Sequence, residues 1–230
     1  MEITLRAINV PDYILPKPSQ IATALLSMGS EFGTNFAYTF IEALAGMLIG
    51  SCLGFLIGIC LAQNSFFKKM SLPFLIASNA VPIIAIAPIL IIWFGNTLMA
   101  KIVVAAFISF FPIALNTFKG LTEFNKNYQE LFGIYGSTRS QFLYRYKLGN
   151  AVPYILTGLK LNATLSVIGA VVGEFVSSDR GLGFAILQAS YSFNSPKLWA
   201  NILLTCCIGV FFYLMISLVE NVLFKKFKPE

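Results

Sequence analysis

The chain is 230 residues long, 57% hydrophobic and only 11% charged, with a mean hydropathy of +0.77. Long apolar runs in such a composition mark a membrane protein rather than one or two soluble domains. The net charge of +6 does not signal nucleic acid, because the basic residues fall in short segments between apolar runs.

Residues 1–35 read as an N-terminal segment punctuated by Pro11, Pro16 and Pro18. Nothing at the start has the apolar length of a cleavable signal peptide. Ser19 is placed to cap a short interfacial helix, Gln20 to Met28. The first expected span is Phe36 to Ala62. It carries Gly46, Gly50, Gly54 and Gly58 at intervals of four, overlapping G-x-x-x-G units that stripe one side of a helix for close packing. Glu42 lies one turn before the stripe. A carboxylate at that depth is costly and must face protein, water or the interface.

Lys68 and Lys69 mark a short loop, and the second expected span is Leu72 to Trp93. Pro73, Pro82 and Pro88 interrupt it, so a bent or broken helix is expected, with Asn79 and Pro82 near a translocation path. Gly95 and Asn96 make a tight turn into a third span, Leu98 to Thr117. Further polar candidates for a path are Ser109, Asn116, Asn162, Thr164 and Ser166; each also suits an ordinary interhelical hydrogen bond.

The polar stretch Lys119 to Lys160 follows, with six Lys or Arg against two Glu. Both halves have helical periodicity. Phe124, Tyr128, Leu131 and Phe132 share one face, Phe142 and Tyr146 repeat the spacing, and Gly136, Ser137 and Thr138 break the pattern between them. The fourth span is Pro153 to Phe175. Glu174 stands at its end, in VVGEFVSSDRGLG, whose Gly181 and Gly183 suggest a turn before a short helix, Phe184 to Ser190. The last span is Leu198 to Leu223, and residues 224–230 form a basic tail. Cys52, Cys60, Cys206 and Cys207 lie in apolar runs and read as small hydrophobes.

Within the polar stretch, Glu130, Leu131 and Phe132, then three residues, then Gly136, nine residues and Tyr146, with Leu148 and Gly149 closing the pattern, resemble the signature loop of permease subunits in bacterial ABC importers. That signature reads E-A-A, three residues, G, nine residues, I-x-L-P. Gly149 replaces its proline, and bulky residues replace both alanines. With AVPYILTGLKL, VVGEF and RGLGF, the likeness extends from LPKPSQIATAL onward and points to the nitrate, sulfonate, taurine and thiamine-precursor branch. Permeases of that branch carry a span before the LPxPS word. This chain shows none, which leaves open either a reduced five-span member or a recorded start inside the true gene product.

The resemblance implies an all-α, polytopic bundle with the type I ABC importer permease fold and about five spans. Residues 36–223 would form the permease domain, with coupling loop 119–152. It also implies a second permease copy, a cytoplasmic ATPase dimer, an extracytoplasmic binding protein and a small solute. Glu130 and Gly136 would belong to the coupling motif. Tyr128, Leu131, Phe132 and Phe142 are candidates for packing into an ATPase groove, and Arg139, Arg145 and Lys147 for pairing with its acidic rim. With the loop in the cytoplasm, eleven of the sixteen Lys and Arg residues lie inside; Arg6, Lys17, Lys101, Arg180 and Lys197 lie outside, as the positive-inside bias requires. The chain lacks His, a G-K-S/T nucleotide loop and an H-E-x-x-H word, so ATP hydrolysis is expected of a partner and no metal or cofactor is expected. Glu42 and Glu174 are far apart in sequence and are not read as a paired site. An ion-coupled carrier with broken helices or a membrane scaffold stands as the alternative.

Overall fold

The computed structural model describes residues 11, 15–27, 29–63, 70, 73, 77 and 82–227. Among these, the regular elements are all helical: α1 (Pro18–Ser27), α2 (Gly29–Gln63), α3 (Ile83–Phe94), α4 (Leu98–Thr122), α5 (Lys126–Ile134), α6 (Arg139–Phe142), α7 (Leu148–Val176), α8 (Leu182–Tyr191) and α9 (Ser195–Phe227), with a π-turn over Leu143–Lys147. Helix α1 starts slightly earlier than expected. Pro18 occupies its first helical position, where a missing N–H costs nothing, and the Gln20 side chain accepts from the Lys17 N–H. Ser19 lies inside the helix.

Four stretches are long and apolar enough to cross a membrane: Glu31–Gln63, Leu98–Thr122, Ser140–Val176 and Ser195–Leu223. Of the expected second span, only α3 is a described helix. Its 12 residues rise about 18 Å, less than the ~30 Å hydrocarbon layer. Asn79 lies outside the described residues. Pro82 is exposed and extended (φ −61°, ψ 118°) at the N-terminus of α3.

Helix α4 is the centre of the bundle. Lipid offers no hydrophobic drive for helices to associate, so close van der Waals contact must supply the cohesion. Glycines supply it on two sides. A Cβ on Gly46, Gly50, Gly54 or Gly58 of α2 would come within 3.0 Å of Ala105, Ser109, Phe110 and Thr117 of α4, respectively. On the other side, Gly169 of α7 leaves room for the Ala105 backbone, and Gly158 and Gly173 lie close to Ile113 and Lys101. The sequence pattern marks the first seam with four glycines in step; the second shows a single four-residue step, Gly169 to Gly173, with Gly158 eleven residues earlier. Larger side chains fill the space between the helices. Met47, Val167, Leu182, Ile208 and Phe212 form one buried cluster, and Leu61, Phe111 and Ala114 another near the loop end.

Two lysines sit elsewhere than their counts as loop charges suggest. Lys101 is 4% exposed inside the bundle. Lys160 lies along α7, pairs with Glu220 of α9 and faces the Tyr213 ring. All four cysteines are free and exposed on helix surfaces.

Candidate functional site

The polar stretch folds as a hinged pair. Helix α5 begins at Asn125, whose Oδ1 accepts from the Asn127 N–H at 3.0 Å. It ends in a Schellman closure, with Ser137 N–H donating to Phe132 O (3.0 Å) and Gly136 N–H to Gly133 O (3.0 Å). Gly136 stands at φ +65°, the left-handed conformation that this closure requires. A Cβ there would meet nothing within 4 Å. The backbone angle, not tight packing, therefore calls for glycine. Thr138 then opens the second helix reciprocally: Gln141 N–H donates to Thr138 Oγ1, and Thr138 N–H to Gln141 Oε1, a capping box.

Five rings lock the two halves together. Phe142 is 8% exposed and lies 5.1 Å from Phe132, 5.4 Å from Tyr146 and 5.5 Å from Phe124, centroid to centroid. Tyr128 stacks on Tyr146 at 4.7 Å. Lys147 Nζ sits 4.4 Å from the Phe124 ring centroid, a cation–π contact. Thus Phe142, Phe132 and Lys147, expected to face a partner, pack within the loop. Outward apolar groups are instead Leu131, Ile134, Tyr135 and Tyr144, with Ile134 82% and Tyr135 81% exposed. Glu130 is exposed beside them. The Arg139 side chain lies outside the described residues.

Leu148 and Gly149 open α7 without a break. Leu148 N–H donates to Leu143 O, closing the π-turn. Gly149 carries the N–H that a proline would lack, so the second loop helix runs on into the span. Asn150 Nδ2 donates to the Gly120 and Glu123 carbonyls, pinning the loop base to the end of α4.

The opposite end holds a polar knot that the sequence did not reveal. Glu42 and Glu174, 2% and 1% exposed, are hydrogen-bonded to each other. Glu174 also accepts from Thr39 Oγ1 at 2.6 Å and from the Gly183 N–H. That amide is an unsatisfied donor of the first turn of α8, whose cap residue Gly181 offers no side chain; a carboxylate suits it in both hydrogen bonding and dipole. A Cβ on Gly181 or Gly183 would run into the Glu174 carboxyl, which explains the two glycines of RGLGF. Thr39 Oγ1 in turn accepts from Leu182 N–H (2.7 Å), and Asn35 Oδ1 from Gly181 N–H (3.0 Å). Lys101 acts electrostatically on Glu42 and donates to Asn96. Reading the two glutamates separately misses a pair made by three helices.

Beside the knot, a cavity of about 320 Å³ opens between α2, α8 and α9. Glu31, Asn35, Gln188, Asn194, Lys197 and Asn201 give it a polar lining. The expected path residues lie elsewhere. Ser109 is buried against the Gly46 carbonyl, and Asn162 donates to Met47 O and Ser51 Oγ across the α2–α7 contact. Ser166 and Asn116 donate to carbonyls of their own helices. Thr164 faces outward with Leu161 and Ile168.

Residues 50–225 match the protein family described as the binding-protein-dependent transport system inner membrane component. The chain belongs to this family.

The permease is 35% identical to the formylaminopyrimidine transport permease protein ThiX of Halalkalibacterium halodurans, over 96% of this chain and 89% of that one. It is 33% identical to the riboflavin transport system permease protein RibX of Chloroflexus aurantiacus, over 93% of this chain and 80% of that one. Its fold matches an inward-facing structure of the MetNI methionine ABC transporter with a TM-score of 0.74 at 18% identity, covering 85% of this chain and 97% of that one. It is thus a multi-pass inner-membrane permease subunit of an ABC importer, a transport component rather than an enzyme. The hinged loop stands at one end of the bundle, and the carboxyl knot and cavity at the other.

Proposed function

We propose that this permease works as a homodimer with a cytoplasmic ATPase dimer and an extracytoplasmic binding protein, and imports a small neutral heterocycle of the formylaminopyrimidine class. The observation that carries the solute class is the 35% identity to a formylaminopyrimidine permease along nearly the full length of both chains. The cavity beside the knot supports it. Four of its lining side chains are amides, and Glu31 offsets Lys197 in charge. That suits paired donors and acceptors on a ring better than a sulfonate or nitrate. Lys101, the buried cation at this end, already faces Asn96 and Glu42.

The hinged loop is the part that meets the ATPase. Its rings are spent on internal packing, so the contact falls to the outward tip: Leu131, Ile134 and Tyr135, with Glu130 and Arg145 around them. A hot-spot contact of this kind is worth roughly 2 kcal/mol or more per anchor. The outward face of α7, with Leu161, Thr164 and Ile168, is available to the second copy.

The test is reconstitution of the permease with its ATPase and binding protein in liposomes. ATP-dependent uptake of labelled formylaminopyrimidine is expected, with no uptake of taurine or nitrate. The double variant Ile134→Ala/Tyr135→Ala is expected to insert normally but to lose ATPase copurification about tenfold or more. Uptake of taurine in preference to the pyrimidine would reject the solute class; unchanged copurification would reject the tip as the contact.

A further inference from the structure

The knot at the end opposite the loop has a chemistry beyond packing. Two carboxyl groups buried in contact cannot both carry a full negative charge without a large penalty, and a hydrogen bond between them needs a proton. The surroundings say where that proton resides. Glu174 accepts from the Thr39 hydroxyl and the helix-start amide of Gly183, the environment of a carboxylate. Among the described residues Glu42 has no such donors, and its Oε2 is buried without a hydrogen-bond partner. An unpartnered oxygen there is tolerable on a neutral acid and very costly on an anion. Lys101 reaches in from α4 and supplies one positive charge. One ammonium against one carboxylate and one acid sums to zero net charge, as a buried cluster requires. Asp179 and Arg180, the other charged groups at this turn, are exposed; Arg180 Nη1 donates to Tyr38 Oη at 2.8 Å.

We propose that Glu42 is a buried carboxylic acid whose proton is held against the Glu174 carboxylate, and that this proton-holding pair fastens the turn beside Glu174 and α8 to α2 and α7. The fastener has a definite geometry. The acid comes from α2, the carboxylate from the end of α7, and the anchored amide from the start of α8. Thr39 bridges the carboxylate to Leu182 N–H. The site's ligand is the proton itself. The fastener is independent of the solute and of the ATPase partner.

Three preparations of the full chain in detergent test it. Infrared spectroscopy of the wild type at neutral pH is expected to show a protonated-carboxyl C=O band, and Glu42→Gln is expected to abolish it. In that variant an amide N–H takes the place of the acid proton, so tryptic cleavage after the exposed Arg180 should stay within about twofold of wild type. Glu174→Gln turns an amide donor toward donors already in place; its turn should open, with cleavage roughly tenfold faster. A wild type without the acid band, or a band that persists in Glu42→Gln, overturns the proton assignment. Unchanged cleavage in Glu174→Gln overturns the fastener. Should Glu174→Gln fail to fold, the spectra of the other two preparations still decide the assignment.

Discussion

The two ends of the permease are held by opposite kinds of force. At the knot end, a few directional bonds converge on Glu174, from Thr39 and Gly183. At the loop end, five rings meet at a range of angles, from nearly parallel (Phe142 and Tyr146, 13°) to nearly perpendicular (Phe124 and Tyr146, 86°). Directional bonds lose most of their value with a small displacement. Ring contacts tolerate many geometries and fall off more gently. The turn beside Glu174 is therefore built to keep one arrangement. The loop, whose tip meets a moving partner in the proposed assembly, is built to stay together while its contacts readjust.

That contrast makes removal of one carboxyl the most damaging single change. Glu174→Ala strands the Thr39 hydroxyl and the Gly183 amide and leaves Lys101 unbalanced. The expected loss is roughly 3 kcal/mol or more, read as a lower melting temperature in detergent. Phe142→Ala is expected to cost about 3 kcal/mol, the low end for a buried ring, because this one sits in a small loop cluster. Phe142→Leu should cost only about 1 kcal/mol, because a ring cluster accepts another apolar shape. A Phe142→Leu loss as large as that of Glu174→Ala would contradict the contrast. The smallest effect is expected from Gly136→Ala, about 1 kcal/mol of left-handed backbone strain in an open site. It should appear as faster proteolysis at the loop with the rest of the melt unchanged.

Much of this architecture is legible in the residues themselves. The four-residue interval of Gly46 to Gly58 points to a helix seam, and the spacing around Gly136 points to a hinged loop. Local periodicity carries both. The knot is not legible in that way, because Glu42 and Glu174 come together only when α2, α7 and α8 pack. Two local signs point toward it: a carboxylate placed where hydrocarbon makes it costly, and two glycines flanking Leu182. Each has an ordinary explanation on its own. The inward packing of Phe142 and Lys147 is hidden for a related reason. Periodicity reports that residues share a face, but not whether that face meets a partner or the other half of the same loop. Lys101 and Lys160 likewise read as loop charges until the helix ends are drawn.

The π-turn between α6 and α7 has one more consequence. Each residue of an α-helix advances the side chains by about 100°, and a π-turn accommodates one residue more than the regular winding. Residues 143–147 therefore set the angular phase between the loop and the span that continues from it. Wound as plain α-helix, the same residues would swing Phe142 roughly a quarter-turn or more away from Phe124 and Phe132. In this permease one wide turn decides which way the loop looks.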